Sequence, residues 1–301
     1  LVKDIVENPP TRAIGKEIKD PANLFVNITE ISLRYADWIS TVSPTFADEI
    51  LRGTFDFGLK KVILPKRNHF VGIINGLDTS VWNPALDVHI PLRYTLAGVE
   101  QAKEKNKYYL QKKMHLTVDS RIPLFSYTAR LVWQKGLGIL LASFSQLARL
   151  PLQLVVLGTG DRDVIDTMNS YSRKFPGKIT IVDKYEEPLA HELFAASAFF
   201  LLPSIFEPCG LTQLMGMAYG VVPIVNPVGG LKDTVRDKIT GLYMKKYTQN
   251  AFLTSIAEAL NIWKNKDVFH RMRNHAMTQD FSWNKSAGKY FRLYEKMTEN
   301  S

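Results

Sequence analysis

The sequence predicts an α/β fold in which a parallel, doubly wound sheet carries helices on both faces. Two observations support this prediction. Short apolar runs alternate with amphipathic helical patterns between residues 122 and 225, as crossover helices between parallel strands require. The runs are apolar along their whole length, which is typical of strands buried on both faces. Composition agrees, since 46% hydrophobic and 22% charged residues are values of a globular protein.

The individual elements of this sheet follow from the pattern of apolar residues. Because ligands of such sheets bind at the carboxyl ends of the strands, the loops after the strands should carry function. The predicted strands are residues 122–129, 152–158, 178–183, 199–204 and 221–226. The predicted helices are residues 135–150, 161–175, 188–198, 210–219 and a short one near 231–237.

Residues 1–70 show a different pattern, which predicts the tail of a second lobe whose larger part is missing. A helix at about 22–37, a strand at 38–43 and a helix at 44–51 are followed by no further βαβ repeat. The turn-rich stretch from residue 71 indicates a junction, and residues 284–298 form an amphipathic helix. The predicted domains are therefore 1–70, a junction at 71–118, a Rossmann-like lobe at 119–283 and a C-terminal helix at 284–301.

Charge and cysteine content exclude several classes of protein. The single cysteine excludes an internal disulfide and a cysteine-based zinc site, and the longest apolar run, 198–203, is too short to span a bilayer. The net charge of +9 raises the possibility of nucleic-acid binding. The densest basic run, 103–113, is interrupted by Glu104 and belongs to no nucleic-acid module, so it is predicted to be a solvated helix face.

Two cations follow the first predicted strand. Arg130 and Lys135 lie on either side of the turn into the next helix, where they could bind a diphosphate. The alternative is that both are surface cations without a ligand. The loop after the second strand reads GTGDRD, and Asp163 stands where a dinucleotide fingerprint needs its third glycine. That loop therefore argues against a dinucleotide site, and Asp161 is predicted to be a helix N-cap.

The third strand is followed by an aromatic residue, and the next helix contains a histidine. Tyr185 could stack on a nucleobase, and the alternative is a half-buried structural tyrosine. His191 is predicted to pack locally rather than bind a metal, because no second ligand lies at a useful spacing.

The loop after the fourth strand joins a carboxylate to a helix start. The amides of Gly210, Leu211 and Thr212 could bind an anion, whereas Glu207 would repel one and is better suited to neutral hydroxyls. The alternative is that Glu207 only caps the helix. Cys209 is predicted to be a small residue lining the pocket rather than a nucleophile, since no base accompanies it.

Several stretches of the sequence closely resemble the starch and glycogen synthases that use ADP-glucose. The resemblance runs from about Asn23 to Trp283, and the block FEPCGLTQ is its most specific part. The stretches that carry it are TVSPTFADEI, GIINGLDTSVWNPALD, ARLVWQKGL, VVLGTGD, YEEPLAHELFAASAFFLLPSIFEPCGLTQL and VGGLKDTV.

The resemblance implies the two-lobed GT-B architecture and a retaining glucosyltransferase that adds glucose to the non-reducing end of an α-1,4-glucan without a metal or other cofactor. It also implies a role for each site residue. The catalytic residues would be Arg130 and Lys135, which hold the diphosphate, and Glu207, which binds the glucose hydroxyls. The donor site would include adenine stacking on Tyr185, the loop at Cys209, and N–H groups of Gly210, Leu211 and Thr212.

Three departures from the family pattern stand beside the resemblance. The loop Lys-x-Gly-Gly-Leu and most of the first lobe are missing. The position of a second glutamate found in the wider superfamily is Met215, and Val228 stands where many members have threonine. The alternative functions are a nucleotide- or glucan-binding fragment, inactive alone, and another GT-B enzyme that uses a UDP-sugar. The expected location is a plastid or a bacterial cytoplasm, without secretion, membrane binding or nucleic acid.

Overall fold

The computed structural model describes residues 27–184 and 186–299, which group into two compact units. One unit comprises Ala47–Gly72 together with the residues up to Thr41. The other comprises Val42–Phe46 and everything from Ile73 onward. The larger unit contains the whole of the predicted sheet.

The smaller unit contains two short parallel strands and their helices. Asn27 caps the first helix by accepting a hydrogen bond from the Glu30 amide at 3.1 Å, and residues 22–26 of the predicted helix lie outside the described residues. Strand β1 (Ile39–Thr41) was predicted, and it pairs in parallel with β2 (Phe70–Gly72), a strand that was not predicted. The helices are α1 (Ile28–Tyr35), α2 (Pro44–Arg52), which belongs to this unit from Ala47 onward, and α3 (Lys60–Ile63).

The larger unit is built on a six-stranded, wholly parallel sheet, which confirms the predicted fold class. The strands are β3 (Leu124–Thr128), β4 (Gln153–Leu157), β5 (Ile179–Val182), β6 (Phe199–Leu202), β7 (Val222–Val225) and β8 (Leu242–Tyr243). Their order is β5-β4-β3-β6-β7-β8. The chain therefore adds strands on one side of β3 and then on the other, so the direction reverses between β3 and β6. A reversal of this kind opens a crevice at the carboxyl ends of the two strands.

Alternating residues of each strand enter opposite cores. Phe199 and Leu201 pack on one face of β6, whereas Phe200 and Leu202 pack on the other. All four are almost completely buried, as in a sheet covered on both sides. The fully apolar runs in the sequence result from this arrangement.

The helices of the larger unit cover both faces of the sheet. Most begin and end within a few residues of the predicted positions. They are α4 (Val99–Lys113), α5 (Leu137–Leu147), α6 (Arg162–Lys174), α7 (Glu187–Ala196), α8 (Thr212–Ala218), α9 (Gly229–Thr234), α10 (Gln249–Lys264), α11 (Lys266–Met277) and α12 (Trp283–Glu299). Of these, α10, α11 and the start of α4 were not predicted. No helix in the described part of the chain is long and apolar enough to cross a bilayer.

Helix α4 corrects part of the prediction for the basic run at 103–113. Lys105 and Lys112 are exposed, as a solvated face requires. Lys103, Lys107 and Gln111 instead repeat every four residues and form a buried stripe. The Lys103 ammonium donates to the carbonyl oxygens of Phe194 and Tyr219 at 2.8 and 2.9 Å. Lysine stems pack along apolar surface while the ammonium finds acceptors, so a basic sequence pattern did not identify this buried face.

Candidate active site

The loops that follow β3 and β6 meet at the carboxyl ends of these neighbouring strands. The Ile205 amide donates to the Gln134 carbonyl oxygen at 3.0 Å. Gly136 has a φ of +80°, and a Cβ at this position would lie 1.9 Å from the Pro203 carbonyl oxygen. Glycine is therefore required here for both conformation and space. We call the region between these two loops, from Lys135 to Glu207, the carboxyl-end crevice.

Two of the predicted site residues contact each other in the carboxyl-end crevice. The Lys135 ammonium lies 2.6 Å from Oε2 of Glu207. The Glu207 side chain is 7% exposed and that of Lys135 is 22% exposed, so the pair is shielded but open to solvent on one side. An ammonium carries three donors, so the bond to Glu207 leaves Lys135 with others for a second anion.

Two buried polar residues support Glu207, and neither was predicted. The Ser204 hydroxyl donates to Oε2 of Glu207 at 3.2 Å. The Asn226 amide nitrogen, at the end of the next strand, donates to the Ser204 carbonyl oxygen at 2.8 Å. Both residues end predicted strands, and a polar residue that closes an otherwise apolar run was the available signal.

Tyr127, at the end of β3, lies beneath the same ion pair. Its hydroxyl donates to the Lys135 carbonyl oxygen at 3.0 Å, which fixes the backbone that carries the lysine. Burial, and after it the negative charge of Glu207, raise the pKa of Tyr127. The tyrosine therefore stays neutral and acts as a hydrogen-bond donor.

The glycine pair that opens α9 packs directly on the backbone of the Glu207 loop. A Cβ at Gly229 would lie 2.1 Å from the Glu207 carbonyl oxygen, and one at Gly230 would lie 1.9 Å from that of Cys209. The Gly230 amide donates to the carbonyl oxygens of Glu207 and Pro208 at 3.0 and 3.1 Å. These contacts fix the direction in which Glu207 leaves the backbone.

The predicted amide site at the start of α8 has the expected backbone arrangement. The helix begins at Thr212, and its N-cap residue, Leu211, supplies no side-chain cap. Within the described residues, no acceptor takes the N–H groups of Gly210, Leu211 or Thr212. Gln213 fixes the turn by donating to the Cys209 and Gly210 carbonyl oxygens at 3.0 and 2.8 Å. The three amides follow Glu207 by three to five residues and remain a predicted binding element.

The remaining predicted residues fall into different settings. Cys209 is buried, and burial raises the pKa of its thiol, so it packs as a neutral group. Arg130 is exposed, and among the described residues its guanidinium makes no bond to Lys135 or Glu207. Tyr185 lies outside the described residues. The stacking role of Tyr185 and the diphosphate role of Arg130 stay predictions.

Two secondary predictions concern residues outside the crevice. Asp161 occupies the N-cap position of α6, although its side chain makes no capping hydrogen bond. His191 is buried, stacks on Trp82 with ring centroids 4.0 Å apart, and lies 2.7 Å from Oδ2 of Asp87. The prediction of local packing is confirmed for His191. Across the described residues there is no group of three or more His, Cys, Asp or Glu arranged to hold a metal ion.

Comparisons with known proteins identify the family. The family model described as "Starch synthase catalytic domain" matches residues 13–64, and the model described as "Glycosyl transferases group 1" matches residues 122–261. The glycogen synthase of Alkaliphilus metalliredigens is 37% identical over 278 residues, which are 90% of this chain and 58% of the relative. The glycogen synthase of Nitrosomonas europaea is 38% identical over 283 residues, or 91% of this chain and 57% of the relative.

A solved structure agrees with these sequence matches. The catalytic domain of starch synthase IV from Arabidopsis thaliana, bound to ADP and acarbose, has a TM-score of 0.84 and 32% identity. The match covers 89% of this chain and 57% of that one. The chain belongs to the starch and glycogen synthase family. The recognition made from the sequence motifs is therefore confirmed, and so is the GT-B type of fold.

This starch and glycogen synthase family member spans a little over half the length of the curated relatives that it matches. The carboxyl-end crevice lies within the stretch that matches the "Glycosyl transferases group 1" model, since Lys135 and Glu207 both fall between residues 122 and 261. The crevice therefore lies within the part of the relatives' length that this chain covers.

Proposed function

We propose that this chain is the donor-binding part of a retaining glucosyltransferase that moves glucose from ADP-glucose to the non-reducing end of an α-1,4-glucan. The observation that carries the proposal is the 2.6 Å ion pair of Lys135 and Glu207 at the strand reversal. The related starch synthase IV domain, which was solved with ADP and acarbose bound, supports the choice of nucleotide and glucan.

Lys135 is assigned to the departing diphosphate. When the bond between glucose and the diphosphate breaks, negative charge accumulates on the phosphate oxygens, and a fixed ammonium stabilises that charge most in the transition state. The carboxylate of Glu207 holds the ammonium in place and is itself held by Ser204. Arg130, on the same loop as Lys135, is proposed as the second cation.

Glu207 is assigned to the hexose. The shielded carboxylate of Glu207 can accept hydrogen bonds from neutral hydroxyls, which orient the ring for attack at the anomeric carbon. The N–H groups of Gly210, Leu211 and Thr212, in the loop that also carries Glu207, are proposed to bind phosphate oxygens. Neutralisation by Lys135 and these amides replaces a metal ion in this scheme, so no cofactor is proposed.

A second candidate, a nucleotide-binding fragment without transferase activity, is favoured by the length of the chain relative to its family members. A calorimetric titration of the 301 residues with ADP, beside a glucose-incorporation assay, separates the two functions. We expect binding without incorporation. A parallel titration with UDP tests the choice of base, and tighter binding of UDP than ADP would contradict the proposed donor.

The role of Lys135 is tested in a complete enzyme that contains this segment. We expect Lys135→Ala to lower kcat by about 100-fold, the usual cost of removing one preorganised donor to a developing charge. The matched control is Lys105→Ala, which removes an exposed lysine from α4, outside the crevice. If kcat is unchanged in Lys135→Ala, or falls equally in both variants, the assignment is wrong.

A further inference from the structure

A second concave site lies at the amino ends of the strands, at the end of the sheet opposite the crevice. It is a cavity of about 250 Å³ whose lining includes Ser120, which precedes β3, and Ala198, which precedes β6. About 13 Å of strand separates the two ends of β3. We call this site the amino-end cavity. Its cationic lining residues are Lys103, Lys107, Arg121, Lys266, His270 and Arg273.

The positive charge of the amino-end cavity is not balanced. Only two carboxylates line it, Glu100 and Glu104, and Glu100 is paired with His270 at 3.2 Å. Arg121 is paired with Asp119 at 2.8 Å. Within the described residues, Lys103, Lys107, Lys266 and Arg273 have no ion-pair partner. The crevice shows the opposite pattern, since its buried carboxylate and its lysine compensate each other.

Three of the unpaired cations are buried, which makes their charge costly. Lys103 is 7% exposed, Lys107 is 5% exposed and Arg273 is 4% exposed. Burial, and after it the charge of Arg273, lower the pKa of Lys103. Burial also lowers the pKa of Lys107 to about 8, although Asp119 acts against this. Buried charges are normally paired, so the missing counter-charge is the feature that requires an explanation.

Arg273 offers unused donors to the amino-end cavity. Its Nε donates to Oδ1 of Asn274 at 3.1 Å, whereas its two terminal nitrogens have no acceptor among the described residues. A guanidinium fork of this kind matches two oxygens of a phosphate group. Helix α11 therefore presents a phosphate-binding group into a cavity that also contains the ammonium of Lys266.

The remaining walls of the amino-end cavity limit the ligand. Trp263 and Phe269 form an apolar side, and the Lys266 ammonium lies 3.2 Å from the centre of the Trp263 ring. A space of about 250 Å³ is smaller than a typical pocket for a drug-sized ligand. It excludes a nucleic acid strand and admits a small phosphorylated compound.

We propose that the amino-end cavity is a binding site for a small phosphate-bearing anion, held by Arg273 and Lys266 and separate from the carboxyl-end crevice. The anion supplies the negative charge that the protein lacks at this position. Two Nη groups of Arg273 bind its oxygens, and Lys103 and Lys107 add long-range attraction from behind. The site does not depend on the proposed transferase activity.

The test is a calorimetric titration of the 301-residue chain with inorganic pyrophosphate. The variants Lys266→Ala and Arg273→Gln should each weaken binding by about tenfold, as expected for a charged hydrogen bond. Lys105→Ala is the matched control, because Lys105 is exposed on α4, outside the cavity lining, and removes the same charge. Circular dichroism verifies that Arg273→Gln folds, and Lys266 is exposed, so its variant should fold in any case.

Two further arms distinguish the amino-end cavity from the crevice and from general attraction. Lys135→Ala should retain binding of pyrophosphate at the cavity, and affinity should fall as the pH rises through about 8, where Lys107 loses its proton. The proposal is overturned if pyrophosphate does not bind, if Lys105→Ala weakens binding as much as Lys266→Ala, or if Lys135→Ala abolishes all binding. A failed ADP titration with retained pyrophosphate binding would contradict only the proposed transferase function.

Discussion

The two ends of the sheet differ in whether their buried charges are paired. At the carboxyl ends, Lys135 and Glu207 form a pair that Ser204 extends, so the site is close to neutral before any ligand arrives. At the amino ends, Lys103 and Arg273 are buried beside each other without a carboxylate partner among the described residues. Both sites contain cations on the same fold. The difference lies in whether the protein itself supplies the counter-charge.

A compensated site can be held rigidly, whereas an uncompensated one carries an electrostatic penalty until an anion binds. The crevice shows the expected rigidity, since glycine backbones pack against the loops that carry its functional residues. The amino-end cavity shows the penalty as lowered lysine pKa values. Three substitutions test this contrast through protein stability and turnover.

The largest effect is expected for Gly230→Ala, which tests the rigidity of the crevice. The added methyl group would lie 1.9 Å from the Cys209 carbonyl oxygen, so the free energy of unfolding should fall by about 2 kcal/mol. Urea denaturation measures the change. Gly288→Ala is the control, since a Cβ there meets nothing within 4 Å and should stabilise helix α12 by roughly 0.5 kcal/mol. Equal effects at the two glycines would show that the crevice backbone is free to adjust.

An intermediate effect is expected from the pH dependence of stability, which tests the uncompensated cavity. The pKa of Lys107 falls from 10.5 to about 8 on folding, so between these values the unfolded chain binds more protons. The free energy of unfolding should therefore rise with pH across this window, by about 1 kcal/mol after allowance for solvent screening.

The variant Lys107→Met should remove the part of that rise that Lys107 contributes, because a neutral side chain cannot titrate, whereas Lys103, whose pKa burial also lowers, still contributes its own part. Lys105→Met, at an exposed position of the same helix, should leave the rise unchanged. Urea denaturation series at about pH 8 and pH 10 provide the comparison. A rise of unchanged size in Lys107→Met would mean that other groups produce all of it and that the charge of Lys107 is not an important cost.

The smallest effect is expected for Ser204→Ala in a complete enzyme. The variant removes the 3.2 Å hydrogen bond to Glu207 but leaves the Lys135 pair in place. We expect kcat to fall by about threefold, which corresponds to one weak hydrogen bond of roughly 0.7 kcal/mol. A conservative Ser204→Thr variant should recover much of the loss. A wild-type kcat in Ser204→Ala would show that Ser204 does not position the acid.

The sheet was predictable from the sequence because burial on both faces leaves an unmistakable apolar run. Five strands were placed within a few residues, and the reversal after β3 put Lys135 and Glu207 at one edge. The two-residue strand β8 was missed, since two residues give no periodicity. Helix α4 was misjudged because buried lysines look like solvated ones until their backbone acceptors are known.

Support around the crevice was harder to predict than the crevice itself. Ser204 contacts Glu207 three residues along its own loop, and Asn226 reaches the Ser204 carbonyl oxygen from the next strand. The available signal was a polar residue at the end of an apolar run, which does not reveal its partner. The amino-end cavity joins α4, α10 and α11 with the start of β3, segments that are far apart along the chain. The charge imbalance of the cavity appears only when the ion-pair partners of its cations are known from the structure.

Helix α9 connects the acid of the crevice to a distant segment of the chain. Its first turn is bonded to the backbone of Glu207, and its Asp233 accepts hydrogen bonds from Ser43 and from the amide and hydroxyl of Thr45. The three Asp233 contacts lie between 2.5 and 3.0 Å. A shift of Glu207 therefore cannot remain local. It must either move residues 43–45 together with the six-residue helix α9 or break hydrogen bonds at one end of that helix.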